Sequence, residues 1–360
     1  MRKTKIVQNI FISLGVLFAP RLLAAASFIT FDAPGAVFGT VPFDINSEGA
    51  ITGYFNDANF ISHGFLRDQN GTITTFDVPG AVDGVSPAVI NPAGTIMGIF
   101  FDVNSFVHEF VRTHNGTITT FDVPGASFID PNSINPAGTF VGDLVDVNFI
   151  SHGFLRARDG AITTFDVPGG VNGTYAAGIN PGGVITGMYT DASDVTHGYL
   201  RDRDGAITTF DSPSPGSLEV FAPFAPRFPD LLITPQGVVT GTYFEPIPGN
   251  PFGGNFRVYV RATDGTFTTF DAATYPPCCI WSFPSDMNPA GTITGSFNDG
   301  FTINHGFVRT SDGTITTFDA PGAGTGFNQG TFPLGITPGG VIMGVYVDEN
   351  YLQHGFVRIP

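Results

Sequence analysis

Residues 85–124 read VSPAVINPAGTIMGIFFDVNSFVHEFVRTHNGTITTFDVP. Four β-rich runs, which begin near Val85, Thr95, Val107 and Thr117, are separated by turn sequences. Asn-Pro-Ala-Gly suits a tight turn because Pro presets φ and Gly accepts a positive φ, and Asn-Gly is the strongest short hairpin signal. The stretch therefore predicts a four-stranded antiparallel meander.

The same unit recurs along the chain, and three landmark residues occur seven times each. They are the second-strand Gly at 53, 98, 142, 187, 241, 295 and 344, the third-strand Arg at 67, 112, 156, 201, 261, 309 and 358, and the fourth-strand Asp at 32, 77, 122, 166, 211, 271 and 319. We number the repeats by their second-strand Gly, so that repeat 1 contains Gly53 and repeat 7 contains Gly344. This periodicity is typical of a repeat architecture.

The phase of the repeats indicates how they are assembled. A fourth-strand motif comes first, at residues 28–32, and a third strand comes last, at residues 354–360. An N-terminal strand that completed the last repeat would close a ring and remove an exposed strand edge. We therefore predict an all-β fold, a seven-bladed β-propeller of four-stranded antiparallel blades, with the ring closed by the N-terminal strand. A parallel β-solenoid is the alternative, but its coils require neither Asn-Gly hairpins nor this offset.

The third strands begin with a recurring tripeptide. His-Gly-Phe stands at residues 63–65, 152–154, 305–307 and 354–356. In this repeat style the chain resembles the bacterial extracellular repeat proteins of the HAF family, named after a His-Ala-Phe signature. Gly stands where that signature has Ala, Glu109 replaces it in repeat 2, and Arg257-Val258-Tyr259 replaces the tripeptide in repeat 5. This is a divergent or sister repeat, and the resemblance implies export and a repeat fold but supplies no activity or catalytic residue.

The N-terminal segment has the pattern of a secretory signal peptide. Basic residues at positions 2, 3 and 5 precede a mostly apolar stretch at residues 6–18, and Ala24-Ala25-Ala26 offers small residues for cleavage. A retained membrane anchor is the alternative, but no run of about 18 apolar residues is present. We therefore predict a signal peptide over residues 1–26 and a single propeller domain over residues 27–360. Secretion or periplasmic localisation follows, with no membrane insertion after cleavage.

The amino-acid composition limits the kinds of partner that we expect the protein to bind. Of the 360 residues, 42% are apolar and 13% are charged, which argues against disorder. Beyond Ala26 the chain has 11 Arg, no Lys and 31 acidic residues, a formal charge of −20. Such a surface repels phosphate backbones and anionic lipid, so we expect neither nucleic acid nor a membrane surface as partner.

Six repeats place an acidic residue six positions before the third-strand His. The pairs are Asp57 and His63, Asp102 and His108, Asp146 and His152, Asp191 and His197, Asp299 and His305, and Asp348 and His354. Because the acid ends the second strand and the His begins the third, a charge-assisted hydrogen bond would fasten the hairpin between them. Repeat 5 has Glu245 and Arg257 instead, which keeps a cation facing an anion and favours a structural role. A ring of metal ligands or acid/base pairs is the alternative, but His side chains spread around a ring cannot converge on one ion.

The connections of repeats 5 and 6 are longer than the others and form a predicted loop wall. Its candidate ligand-binding residues are Glu219, Phe221, Phe224, Arg227, Asp230, Tyr275 and Trp281. Aromatic faces with carboxylates and one Arg suit a sugar ring or a peptide loop, although such loops also arise merely to pack against the blades. Cys278 and Cys279 lie in the same wall and could form a strained vicinal disulfide. Free thiols or an intermolecular bridge are the alternatives.

Two functions remain. The sequence favours an exported, non-catalytic binding or scaffold propeller that recognises an extracellular glycan or protein through the loops of blades five and six. The alternative is a propeller hydrolase or lyase acting at the mouth of the central channel, for which Asp44 and Asp286 are the best channel-facing carboxylates. An enzyme of this shape would converge His, Glu or metal ligands on the channel, yet His114 is the only His outside the repeated positions. We assign no catalytic residue, cofactor or metal, and we expect a monomer.

Overall fold

The computed structural model describes residues 26–123, 125–214, 231–246, 254–273, 281–300 and 303–360. Within these ranges the chain forms 28 β-strands and no helix, which confirms the all-β prediction. Accordingly, no helix there has the length and apolar character needed to cross a bilayer. The predicted signal peptide, apart from Ala26, lies outside the described residues.

Repeats 1 to 4 each form a separate four-stranded antiparallel sheet, with the strands in chain order. Repeat 1 contains β2 (Thr40–Ile45), β3 (Ile51–Asn56), β4 (Ser62–Arg67) and β5 (Ile73–Phe76). Repeat 2 contains β6 (Val85–Ile90), β7 (Ile96–Phe101), β8 (Val107–Arg112) and β9 (Ile118–Phe121). Repeat 3 contains β10 (Ala126–Ile134), β11 (Phe140–Asp146), β12 (Ser151–Arg156) and β13 (Ile162–Phe165). Repeat 4 contains β14 (Thr174–Ile179), β15 (Ile185–Thr190), β16 (Thr196–Arg201) and β17 (Ile207–Phe210).

The other strands form one 12-stranded sheet made of three antiparallel runs. Repeat 5 supplies β18 (Leu231–Ile233), β19 (Val239–Pro246), β20 (Gly254–Arg261) and β21 (Phe267–Phe270). Repeat 6 supplies β22 (Trp281–Met287), β23 (Ile293–Asn298), β24 (Asn304–Arg309) and β25 (Ile315–Phe318). Repeat 7 supplies β26 (Gly330–Ile336), β27 (Ile342–Val347) and β28 (Gln353–Ile359), and β1 (Ser27–Phe31) pairs with β28. The runs are joined by single parallel pairs, Phe256 with Trp281 and Asn304 with Gly330.

The strand from the beginning of the chain therefore occupies the fourth position of repeat 7. It pairs antiparallel with β28 from Ser27 opposite Ile359 to Phe31 opposite Gly355. Repeat 7 also packs against repeat 1, because Phe332 and Met343 share a hydrophobic cluster with Phe65. Sequence-distant ends of the described chain are thus neighbours in space.

Neighbouring repeats are held together by apolar packing and by a repeated cation–π contact. The third-strand Arg of each repeat lies over the fourth-strand Phe of the preceding one, with 4.3–5.0 Å between the guanidinium carbon and the ring centroid. Arg112 over Phe76, for example, measures 4.8 Å. The fourth-strand Phe rings, which the alternating pattern predicts to be buried, are mostly half-buried: the guanidinium groups cover part of each ring, but the fourth strand lies at the end of its antiparallel run.

Candidate functional site

Each repeat has two edges, which differ in their turns. Because the strands are antiparallel and in chain order, the first-to-second and third-to-fourth turns lie at one edge, which we call the glycine edge. The second-to-third hairpins and the connections to the next repeat lie at the opposite edge, which we call the hairpin edge. Hairpin edges of neighbouring repeats adjoin: a Cβ atom on Gly84, just before β6, would lie 3.0 Å from Ser62 of repeat 1.

The turns at both edges use one hydrogen-bonding pattern. In the hairpin of repeat 1, Asp57 Oδ1 accepts the backbone N–H of Ile61 at 2.9 Å. At the glycine edge, Asp68 Oδ1 accepts the N–H of Thr72 at 2.8 Å. These backbone hydrogen bonds are the main reason that the pKa of each carboxyl lies below its usual value. Both edges therefore carry fixed negative charge.

The hairpin edge adds a second layer, in which each His lies between two carboxylates. His63 Nδ1 lies 2.7 Å from Asp77 Oδ1 of the fourth strand, and its Nε2 lies 3.6 Å from Asp57 Oδ2. Across the six His-containing repeats the first distance is 2.6–2.9 Å and the second 3.5–3.9 Å. The predicted acid and His are in contact, but the shorter bond goes to the fourth-strand Asp. In repeat 7 that Asp is Asp32, so His354 joins β28 to β1 at 2.9 Å.

Repeat 5 reproduces this arrangement with different residues. Arg257 Nε donates to Asp271 Oδ1 at 2.9 Å, its Nη2 donates to Asp271 Oδ2 at 3.0 Å, and its Nη1 donates to Glu245 Oε2 at 3.0 Å. These bonds, chiefly those from Asp271, raise the pKa of the guanidinium further above its usual value. A permanent cation replaces a titratable one in the same place.

Aromatic second-strand residues support the His rings from one side. Phe55 stacks on His63 with centroids 5.2 Å apart, and Tyr346 stacks on His354 at 5.0 Å. The hydrogen bond to the fourth-strand Asp is also the main cause that raises the pKa of His108 and His305. The geometry fixes each His ring between two carboxylates, and the fourth-strand carboxylate stays largely exposed. Within the described ranges, no group of three or more His, Cys, Asp and Glu is arranged to hold a metal ion.

Glu109 breaks the pattern in repeat 2. In five repeats the residue after the third-strand His is Gly, and the fourth-strand Phe ring covers it: a Cβ atom on Gly64 would lie 2.6 Å from Phe76. Glu109 stands opposite Phe121 in the same register and is only 3% exposed. Its Oε2 has no hydrogen-bond partner, and burial raises the pKa of the carboxyl to about 7.

A cavity of about 300 Å³ lies between the first strands, and residues from all seven repeats line it. Asp44 and Asp286 are both part of the lining. Each carboxylate is engaged by the backbone: Asp44 accepts the N–H groups of Ile45 at 2.8 Å and Ile90 at 2.7 Å. Asp286 accepts those of Met287 at 2.7 Å and Ile336 at 2.8 Å, and burial raises its pKa to about 6. Both aspartates thus join one repeat to the next.

Most of the predicted loop wall lies outside the described residues. This holds for Glu219, Phe221, Phe224, Arg227, Asp230 and Tyr275, and for Cys278 and Cys279. Of the predicted ligand-binding residues only Trp281 is described. It is half-buried, and it stands opposite Phe256 of repeat 5 with ring centroids 5.9 Å apart and an interplanar angle of 85°.

Trp281 changes the contact between two repeats. At the corresponding position before repeat 7, Gly330 lies directly against the backbone of Asn304. Between repeats 5 and 6 the contact is aromatic instead, and Phe256 also packs against Phe244 at 5.3 Å and Phe283 at 5.5 Å. These four rings, all half-buried, form what we call the aromatic junction.

Sequence reasoning missed two features of the hairpin edge. The first is the fourth-strand Asp as the closer partner of each His, although its constant spacing of 14 residues was available as a signal. The second is Glu109, which is visible as a substitution but whose burial depends on the neighbouring strands. Both omissions concern contacts made across the sheet.

Comparison with known proteins identifies the fold. The chain matches no family model and no curated protein. Among solved structures it is similar to a catalytically inactive virginiamycin B lyase from Staphylococcus aureus with quinupristin, at 18% identity and a TM-score of 0.57, over 93% of this chain and 100% of that one. A streptogramin B lyase gives 16% identity and a TM-score of 0.59 over 92% and 97% of the two chains.

A third similar structure is the β-propeller domain of the Trilobed protease from Pyrococcus furiosus. It is 8% identical, with a TM-score of 0.59, over 89% of this chain and 95% of that one. At these identities the likeness concerns the fold alone. Together with the repeated four-stranded sheets, it shows that this protein is a β-propeller.

Proposed function

We propose that the protein is an exported, non-catalytic binding or scaffold propeller that recognises an extracellular glycan or protein. The observation that carries this proposal is the aromatic junction, where Trp281 and Phe256 meet in place of the tight glycine contact seen beside Asn304. Half-buried aromatic rings beside long connections suit the apolar face of a sugar or a peptide side chain. The ligand would bind at the hairpin edge of repeats 5 and 6.

The architecture proposed with it is a ring of seven blades closed by β1. Three observations support closure: β1 pairs with β28, repeat 7 packs against repeat 1, and all seven first strands line one cavity. Deletion of residues 27–34 should then lower the melting temperature of the whole protein, because repeat 7 would lose a strand and the ladder it forms. An unchanged melting temperature would favour an open array.

The polar groups in the cavity support a structural role over a catalytic one. Asp44 and Asp286 each accept two backbone N–H groups, which leaves little of either carboxylate to act on a substrate. A hydrolase or lyase at the channel mouth is the second candidate, favoured by the raised pKa of Asp286 in a cavity large enough for a small ligand.

The test is a glycan and peptide array probed with the purified protein that begins near Ser27, followed by affinity measurements. Trp281→Ala should weaken binding of the ligand found by about 1–3 kcal/mol if Trp281 anchors it, with the melting temperature retained. Phe128→Ala is the matched control, because Phe128 precedes the first-strand Pro131 of repeat 3 by three residues, as Trp281 precedes Pro284. Normal binding by Trp281→Ala would reject this site. Substrate turnover that is lost with Asp286→Asn alone would favour the enzyme.

A further inference from the structure

The hairpin edge exposes large aromatic side chains away from the aromatic junction. Phe60, Phe106, Phe149 and Tyr351 are 69%, 65%, 86% and 62% exposed, respectively, and we call them the aromatic tips. They belong to the hairpins of repeats 1, 2, 3 and 7. Phe38, in the connection that leads into repeat 1, stacks on Phe60 with centroids 3.8 Å apart and an interplanar angle of 12°. Exposed apolar groups gathered on one face mark interaction sites.

Three of the aromatic tips are held in an unfavourable backbone conformation. Phe60, Phe149 and Tyr351 have φ values of 63°, 64° and 63°. The corresponding position of a glycine-edge turn is occupied by Gly71, with φ of 92°. A bulky residue is disfavoured in this left-handed region, and the exposed rings recover little by burial. Because these rings do not stabilise the fold, we infer that they contact another molecule.

Apart from the hairpin His side chains, each of which already lies between two carboxylates, and Arg257, the charged groups around the tips are acidic. No Lys or Arg occurs in the described residues of the hairpins or of the connections between repeats, and Arg257, which follows one hairpin within β20, is already held by Asp271 and Glu245. Carboxylates of the fourth strand are well exposed, with the side chain of Asp77 at 65% and that of Asp122 at 72%. Backbone hydrogen bonds also keep the pKa of Asp57 and Asp102 low, so this charge persists into acidic solution.

We propose that the aromatic tips form a docking surface for a basic segment of another protein. Lys or Arg side chains of that segment would lie over the exposed rings, as this protein's own Arg112 lies over Phe76, and would face the neighbouring carboxylates. Their aliphatic stems would cover the apolar surface. A second copy of this chain would bring the same carboxylates into contact, and phosphate-bearing lipid or nucleic acid would be repelled. This surface is separate from the aromatic junction, so the protein could hold two partners at once.

The test uses a short synthetic peptide of alternating Arg and Leu, with binding followed by fluorescence anisotropy at low and physiological salt. The variant Phe60→Ser/Phe149→Ser/Tyr351→Ser should fold, since Ser105 already occupies this turn position in repeat 2 with φ of 60°. We expect it to bind the peptide at least about tenfold more weakly than the unaltered protein. Salt should weaken binding by the unaltered protein. Ile29→Ser, which removes an exposed apolar side chain from an outer strand, is the control and should bind normally.

Three results would overturn the proposal. Equal binding by the triple Ser variant would mean that the peptide responds only to net charge. Equal binding of a peptide of alternating Glu and Leu would mean that the surface is merely apolar. Loss of peptide binding in Trp281→Ala, with the triple Ser variant unaffected, would place the basic peptide at the aromatic junction and leave the proposed function standing.

Discussion

The glycine edge and the hairpin edge are built from the same turn but carry different residues. At the glycine edge the left-handed position holds Gly, as at Gly71 and Gly116, whereas at the hairpin edge it holds Phe60, Phe149 or Tyr351 in repeats 1, 3 and 7 and Ser105 or Asp194 in repeats 2 and 4. Among the described residues, only those of the hairpin edge place a His between two carboxylates that belong to different strands or turns. One edge therefore has what folding requires, while the other has residues that folding alone does not explain.

The largest expected effect concerns Glu109, the buried acid next to His108. Burial raises the pKa of Glu109 to about 7 in the folded protein, against its ordinary value of 4.5. The protonated form is therefore favoured by folding, so the contribution of Glu109 to the free energy of unfolding is highest below pH 4.5, falls as pH rises toward 7 and then levels off. By linkage the loss is about 3 kcal/mol. Glu109→Gln should remove most of this fall, as measured by urea unfolding at several pH values.

The His108 contribution has the same sign, which the Glu109 experiment must take into account. Its pKa is raised by Asp122, so its contribution is present at low pH and is lost as pH rises through the folded pKa. His108→Gln supplies the control curve. If Glu109→Gln left the pH dependence of unfolding unchanged, Glu109 would not be the buried acid that the structure describes.

The next largest expected effect is the loss of stability when a His is removed, which should differ between the two edges. His152, between Asp146 and Asp166, has a side chain that is 27% exposed, whereas His114 at the glycine edge is exposed. His152→Ala should lower the free energy of unfolding by about 1–3 kcal/mol, because it strands charged partners. His114→Ala should change it little. Equal losses in thermal or urea unfolding would remove the distinction between the edges.

A smaller effect comes from exchanging the residues of the two turns. Phe149→Gly should raise the free energy of unfolding by about 1 kcal/mol, since an L-residue in the left-handed region costs about 1–2 kcal/mol and Gly does not. Gly116→Phe should lower the free energy of unfolding by a similar amount. Backbone strain alone would cause this loss, because the atom nearest to an added Cβ, Arg112 Nη2, lies 3.6 Å away and does not clash. Stabilisation by Gly116→Phe would contradict the premise that a bulky residue is strained at this turn position.

The smallest expected difference tests what the edges share. Asp57→Ala and Asp68→Ala each remove a carboxylate that accepts two turn N–H groups. Because the turns are the same, the two variants should lose similar stability in urea unfolding. A much larger loss for Asp57→Ala would mean that its 3.6 Å contact with His63 matters more than the turn.

The local part of the fold could be predicted from the sequence because turn chemistry is local. Asn-Pro-Ala-Gly and Asn-Gly predicted antiparallel strands, and the repeated landmarks predicted the antiparallel runs of each repeat, but not the two parallel pairs that join repeats 5 to 7 in one sheet. The hairpin acid and His are six residues apart, so their contact also followed from one turn. In contrast, Asp77 and His63 are 14 residues apart, and they meet only because the register set by the turn at Asp68 is kept as far as Gly64 opposite Phe76.

The candidate sites were less accessible to sequence reasoning. Apolar residues such as Phe60 and Phe149 are normally expected inside, so an apolar pattern alone predicts burial where the structure shows exposure. The loop wall of repeats 5 and 6 has no counterpart in the other repeats, so no landmark could place Glu219 or Tyr275. The residues that suggest a function are those that differ from the repeat. Because no other repeat contains equivalent residues, the repeat pattern cannot predict their positions.

The pairing of β1 with β28 has a kinetic consequence. His63 and Asp77 are separated by 14 residues, whereas His354 and Asp32 make the same contact across 322 residues. Closing the longer loop costs about 3 kcal/mol more conformational entropy in a flexible-chain treatment. Repeat 7 should therefore be the last to acquire its full sheet during folding and the first to open during fluctuations, so the order of assembly would be set by chain connectivity rather than by contact strength.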